Sequence, residues 1–180
     1  MNQKKAAKRG AGFALLEVLI ALVVLAFGMI GIAGMLLVAH KANSSSYLKQ
    51  QAVQSAYDII DRVRVNSPAA ISGSYDVNNL LTGTVTPAAP ATISPDCSAA
   101  SCSVAQVAAY DVWYWLARDI AQLPNGRGSV VTTAAATGNN TLITVTVQWD
   151  DSPAQSKLGV ATQSQGASAN LAQFTVQTLL

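Results

Sequence analysis

Charged side chains are scarce in this chain of 180 residues, at 11% of the total, whereas a typical soluble domain has roughly 25%. This scarcity argues against a highly charged disordered chain and against a basic nucleic-acid binder. Histidine occurs once, as His40, and cysteine twice, as Cys97 and Cys102. A zinc site needs three or four converging ligands, and a Ser-His-Asp triad needs a well-placed imidazole. We therefore predict no catalytic residues, no metal site and no cofactor.

The few charges are unevenly distributed along the chain. Four of the 11 basic residues, Lys4, Lys5, Lys8 and Arg9, lie within the first nine positions without an acidic residue among them. Without the first twelve residues the balance is 7 basic against 9 acidic, a net charge of −2. The positive net charge of the chain therefore belongs to an N-terminal leader.

A long apolar segment follows this leader. The 22 residues from Val18 to Ala39 contain no charge and no strongly polar group. As a helix they cover about 33 Å, enough to cross a hydrocarbon core of about 30 Å. Basic residues remain on the cytoplasmic side, so we predict a single span of the bacterial inner membrane with a periplasmic C-terminal part. In that oxidising compartment a disulfide between the two cysteines can persist.

Two simpler interpretations of the segment remain open. A secretory signal peptide would also combine a basic start with an apolar run, and Gly31-Ile32-Ala33 could serve as its small-residue cleavage site. An uncleaved signal anchor is the second possibility. Two features count against the signal peptide: the run is longer than the usual ~7–15 residues, and Glu17 lies inside the segment that begins at Phe13.

Glu17 is the most informative residue, because a carboxylate in a membrane segment costs about 3 kcal/mol on insertion scales and usually marks function or a partner. Cleavage between Gly12 and Phe13 would create a cationic α-amino group on Phe13. The Glu17 carboxylate of one subunit could pair with the amine of a neighbour, neutralising both charges when helices pack together.

The basic leader, the residues GFALLEVL from position 12 to 19 and the long apolar run resemble the class III signal of type IV pilins and pseudopilins. The resemblance implies that a prepilin peptidase cuts after Gly12 and methylates Phe13, and that Glu17 guides methylation and docking into a filament. Gly34 stands where major pilins often have a proline. With Gly28 and Gly31 it forms a stripe that either permits close helix packing or weakens the helix enough to unwind.

Beyond His40 the pattern predicts an amphipathic continuation of the helix to residue 65, with an apolar stripe at three- and four-residue steps. Pro68 then ends it. Residues 66–102 predict a mostly irregular loop with weak turns or short strands, in which Cys97 and Cys102 close a small ring. Ser103 and Gln106 form a capping-box pattern at the start of a helix that ends near Leu123.

Strands are predicted at 129–133, 143–149 and 174–176, with a turn at 138–140 and a polar loop over 150–170. The aromatic residues between 110 and 115 favour core and interface packing, and a ligand site is the alternative. The pattern from Cys102 to Trp113, the run LPNGRG at 123–128 and the strand ending at Trp149 resemble the minor pilins of the PilV family, described as type IV pilus modification proteins. That resemblance implies an α+β pilin fold, with a long helix packed on a small antiparallel sheet.

The predicted segments are a leader at 1–12, a transmembrane and filament-core helix at 13–39, its amphipathic continuation at 40–65 and a periplasmic head at 66–180. The predicted function is that of a structural minor pilin, not an enzyme, which primes pilus assembly and supports twitching motility and adhesion. The implied partners are other minor pilins, the major pilin, a tip adhesin, the prepilin peptidase and inner-membrane lipid. From the membrane it would pass into an extracellular pilus, near its tip. A type II secretion pseudopilin and a membrane-anchored binding protein that does not polymerise are the alternatives.

Overall fold

The computed structural model describes residues 11–81, 92–134, 140–152 and 171–180, with side chains from residue 15 onward. The chain divides into two compact units that meet between Ala42 and Asn43. The first unit contains the apolar part of the N-terminal helix. The second contains the rest of that helix and the sheet.

The N-terminal helix, α1, runs from Ala11 to Val65 over 55 residues. It ends directly before Asn66, as the proline at position 68 predicts. Two basic residues in its last turn, Arg62 and Arg64, lie where positive charge stabilises the negative end of a helix.

The second part of α1 contributes one face to the core. Five apolar side chains on that face are at most 1% exposed and Leu48 packs against them: Ala52, Ala56, Ile59, Ile60 and Val63. These residues recur at three- and four-residue steps, so they lie on one side of a helix with 3.6 residues per turn. The predicted apolar stripe is confirmed.

Within the described ranges, four antiparallel strands form a sheet in the order β1-β2-β3-β4. Their bounds are Val77–Asn78 for β1, Arg127–Ala134 for β2, Thr141–Asp150 for β3 and Leu171–Leu179 for β4. The predicted α+β pilin-like fold is confirmed. The three longer strands lie where they were predicted, but each extends further at both ends, because pairing with a neighbour continues beyond the strongly apolar residues.

Strand β3 lies in the middle of the sheet and carries the clearest core pattern. Ile143, Val145, Val147 and Trp149 alternate along it and are at most 3% exposed. Side chains at alternate positions point to the same face of a strand, so all four enter the core. On the opposite face the Thr146 and Thr175 hydroxyl oxygens are 3.2 Å apart across β3 and β4.

Two short elements lie in the segment after α1 that was predicted to be mostly irregular, and the first of them corrects that prediction. A helix, α2, spans Ser67–Ile71 and has a proline at its start, where the missing N–H of proline costs no hydrogen bond. Strand β1 agrees with the predicted short strands. Residues 82–91 of that predicted loop lie outside the described residues.

The helix α3 spans Val104–Tyr114, and its capping box is formed as predicted, with the Ser103 side chain accepting from the Gln106 N–H and the Gln106 side chain accepting from the Ser103 N–H. A π-helical turn at Trp115–Asp119 and a 3₁₀ turn at Ile120–Gln122 continue it to the predicted end. Asp150 belongs to β3, so the predicted loop over 150–170 begins too early. Its residues 153–170, and residues 138 and 139 of the predicted turn, lie outside the described residues.

Candidate functional site

The first predicted site is the N-terminal end of α1. Gly12 and Phe13 lie in the helix, and the Phe13 side chain is outside the part of the chain that the structure describes. Glu17 is exposed, and it is surrounded along the helix by exposed apolar residues such as Leu16 and Ile20. Within the part of the chain that the structure describes, no ion pair is formed by Glu17. The cleavage, methylation and charge-pairing roles of these residues stay predictions.

The apolar surface around Glu17 is extensive. Every large hydrophobic side chain from Leu15 to Val38 is at least 45% exposed. Among the described helices, α1 is long and apolar enough to cross a membrane by length and composition. Such a surface is costly in water, so this part of the helix requires lipid or other apolar helices around it.

Cys97 and Cys102 form a disulfide with a Cα–Cα distance of 5.7 Å. This bond closes a ring directly before the capping box of α3. It therefore restrains the segment that leads into α3, the helix that carries Asp111.

A polar network joins α1 to α3 in the second unit. The Arg62 guanidinium donates to Asp58 Oδ2 at 2.8 Å and to Asp111 Oδ1 at 3.1 Å. It also lies over the ring of Tyr114, with 4.9 Å between Cζ and the ring centroid. One cation on α1 is therefore held by a carboxylate of its own helix and by two side chains of α3.

The same network reaches the segment after α2. The Tyr75 hydroxyl is fully buried and donates to Asp111 Oδ2 at 2.8 Å. Asn66 Nδ2 donates to the backbone carbonyl of Val104 at 2.8 Å. Burial, followed by the hydrogen bond to the negative Asp111, raises the pKa of Tyr75 well above its ordinary value. The phenol therefore remains a neutral donor at physiological pH.

A further acidic residue, Asp119, lies eight positions after Asp111, in the π-helical turn that follows α3. Burial raises the pKa of Asp119, and the negative charge of Asp58 raises it further, against an opposing effect of Arg62. Among the described residues, oxygen Oδ2 of Asp119 is buried and has no hydrogen-bond partner. Ionised Asp119 is therefore an unfavourable feature of the folded head.

The aromatic residues of α3 and of the π-helical turn after it separate into two groups. Trp115 is fully buried in the core, as the packing interpretation predicts. Tyr110, Trp113 and Tyr114 are half-buried, and the Tyr110 ring lies 5.8 Å from Trp113 and 6.3 Å from Tyr114 between centroids. Besides these contacts with one another, Tyr114 lies under the Arg62 guanidinium and Tyr110 forms a hydrogen bond with the side chain of Asp96.

The sequence-based search missed the roles of Asp111, Tyr75, Asn66 and Asp119. A signal for Asp111 exists, because it lies three residues after Ala108 and four before Trp115, on the buried face of α3. An acidic residue on such a face needs a partner. Among the described residues, no group of three or more His, Cys, Asp or Glu side chains is placed to hold a metal ion.

A long, exposed and apolar N-terminal helix and a four-stranded antiparallel sheet packed on its second part define a pilin-like protein of the α+β class. Two family models match the chain and agree with this class. The type IV pilin Tt1218 family matches residues 34–113, and the prokaryotic N-terminal methylation motif matches residues 7–33. No curated protein and no solved structure gives a significant match. Residues 34–113 are thus similar to a type IV pilin family, and the residues before them match the methylation motif of a prepilin leader.

Proposed function

We propose that this chain is a structural, non-enzymatic minor pilin of the PilV type. It would prime type IV pilus assembly together with other minor pilins and the major pilin, and enter the pilus near its tip. The observation that carries the proposal is the methylation motif at 7–33 joined to a type IV pilin domain. The PilV assignment itself is supported by the resemblance of residues 102–149.

In this proposal residues 1–12 are a leader removed by the prepilin peptidase, which cuts after Gly12 and methylates Phe13. Residues 13–39 anchor the chain in the inner membrane and then form the filament core. The second part of the helix, 40–65, and the periplasmic head, 66–180, carry the contacts with other subunits and with a tip adhesin. Twitching motility and adhesion would depend on the assembled pilus.

Glu17 would pair with the methylated amine of a neighbouring subunit during assembly. The exposed apolar residues around it make this pairing favourable, because two opposite charges in apolar surroundings cost less together than apart. The Cys97–Cys102 disulfide fits an oxidising periplasm.

The decisive experiment is intact-mass measurement and N-terminal sequencing of the protein recovered from membranes and from sheared pili. A chain that begins at Phe13 and carries one additional methyl group supports the proposal. A chain that begins beyond residue 33, or an uncleaved chain, contradicts it. Loss of exoprotein secretion with intact twitching in a deletion strain would instead favour a type II secretion pseudopilin.

A further inference from the structure

A groove lies between the last two turns of α1 and the first two turns of α3. It has a volume of about 400 Å³. Its lining includes Asp58, Asp61, Arg62, Val65, Val107 and Asp111. We call it the α1/α3 groove.

One wall of the α1/α3 groove is apolar and unusually exposed. Val65 is 89% exposed, more than any other large hydrophobic side chain described in the chain. Val104 is 58% exposed, and its backbone carbonyl accepts from the side chain of Asn66, the residue next to Val65. Val104 and Val107 lie three positions apart on α3, so they are neighbours on the helix surface. Exposed apolar side chains gathered at one place are typical of an interaction surface.

The charges of the groove are predominantly negative. Of the residues that line the groove, three are acidic, Asp58, Asp61 and Asp111, and one is basic, Arg62, which already binds Asp58 and Asp111. Asp61 is 72% exposed, and its 3.5 Å contact is with Arg64, whose side chain is 53% exposed. Such an exposed ion pair contributes little to stability and leaves the Asp61 carboxylate accessible to a partner.

The negative character continues beyond the groove. Asp58 also lines an adjoining cavity of about 390 Å³ together with Asp119 and several glutamines. A fourth carboxylate therefore lies close to the same surface. An occupant that covers the valines and carries positive charge would match both properties of this surface.

We propose that the α1/α3 groove receives a segment of another pilin subunit in which a lysine or arginine stands beside an apolar side chain. The apolar side chain packs on Val65 and Val107, and the basic group binds Asp61 and Asp58. This inference rests on the proposed function, because it requires that the chain assemble with other pilins.

Photo-crosslinking in the natural host tests the occupant directly. The full chain is produced with p-benzoylphenylalanine in place of Val65, and in a matched control in place of Val131, a 43% exposed valine on β2. Adducts are mapped by peptide mass spectrometry. We expect position 65, but not position 131, to give an adduct with a basic and apolar segment of another leader-bearing pilin. An adduct with lipid or with an acidic or uncharged segment, equal adducts at both positions, or no adduct overturns the proposal.

Paired charge variants test the electrostatic part. Asp61→Asn and Gln173→Lys each raise the net charge by one. The first change lies in the groove, and the second lies at an exposed position of β4. We expect Asp61→Asn to lower the adduct yield at position 65 by at least about threefold and Gln173→Lys to leave it unchanged. Equal yields in both variants contradict a basic occupant.

The two proposals fail differently in this experiment. A chain that is not cut before Phe13 and does not enter pili contradicts the minor-pilin function, and with it the groove proposal. A chain that is processed and enters pili, yet forms no mapped adduct at position 65, contradicts the groove proposal alone.

Discussion

The indole Nε1 of Trp115 donates to the backbone carbonyl of Ser55 at 2.9 Å and lies 3.1 Å from the Ser55 hydroxyl oxygen. These contacts join the π-helical turn after α3 to the last three turns of α1, and both residues are buried. A tryptophan can occupy this position in the core because its one polar atom finds a partner. The pair fixes where α3 lies along α1, and with it the position of Asp111 against Arg62.

Trp115→Phe removes the donor and part of the ring. We expect a loss of about 2 kcal/mol in the free energy of unfolding, since a buried hydrogen bond and packed volume are both lost. Thermal unfolding of the full chain in detergent, followed by near-ultraviolet circular dichroism, measures the change. Trp113→Phe is the matched control, because Trp113 is half-buried and should lose less stability. An equal loss in both variants would contradict a special role of the Trp115–Ser55 bond.

Gly128→Ala places a methyl group against the same ring. A Cβ at Gly128 would overlap the six-membered part of the Trp115 indole and contact Leu116. Overpacking of this kind costs roughly 1–3 kcal/mol. We expect Trp115→Phe to destabilise the Gly128→Ala chain less than it destabilises the unmodified chain, because the smaller ring relieves the overlap. Additive losses in the double variant would show that the methyl group is accommodated elsewhere.

Asp111→Asn tests the network that surrounds Arg62. The variant leaves Arg62 with Asp58 alone and weakens the bond from Tyr75, so we expect a loss of roughly 3 kcal/mol. Tyr75→Phe removes one neutral donor and should cost only about 1 kcal/mol. Exposed Asp61→Asn is the control and should stay within about 0.5 kcal/mol. A larger loss for Tyr75→Phe than for Asp111→Asn would contradict the central role of Asp111.

Asp119→Asn should stabilise the head at neutral pH. Because the pKa of Asp119 is raised above its ordinary 3.8 in the folded chain, folding binds a proton, and this group makes the fold less stable as the pH rises through that window. The amide removes the effect, so the melting temperature of the variant should exceed that of the unmodified chain at pH 7. The difference should disappear at and below the ordinary pKa. A difference that does not depend on pH would refute a titration effect.

Glu17→Ala should insert in the membrane and be cleaved, yet enter pili poorly, because the amine of a neighbour would lose its partner. Glu17→Asp keeps the charge and should retain part of the incorporation. Immunoblots of membranes and sheared pili measure the ratio of the two pools. Normal incorporation of Glu17→Ala would argue against charge pairing.

The sequence predicted those elements whose signals are local. The periodic stripe from Ala52 to Val63, the Ser103–Gln106 capping box and the alternation in β3 all depend on residues close together in the chain. The polar network could not be predicted in this way. Tyr75 and Asp111 are 36 positions apart, and only the packing of α3 on α1 brings them into contact.

The helix α2 was missed for a similar reason. Ser67–Ile71 is too short for a periodic pattern. The side chain of Asn66, the N-cap residue, forms no capping hydrogen bond with the helix. That side chain instead donates to Val104 of α3. The start of α2 is therefore held by a contact with α3, which lies more than thirty positions later in the chain.

The order of the strands has a kinetic consequence. Strands β2, β3 and β4 are neighbours both along the chain and in the sheet, whereas the bond between Trp115 and Ser55 spans 60 positions. Contacts between near residues form sooner than those that must close long loops. We expect strands β2, β3 and β4 to pair early in folding and α1 to pack on them later. Contacts that form after the rate-limiting step affect the rate of unfolding rather than the rate of folding. Loss of the Trp115–Ser55 bond would therefore mainly make the head unfold faster.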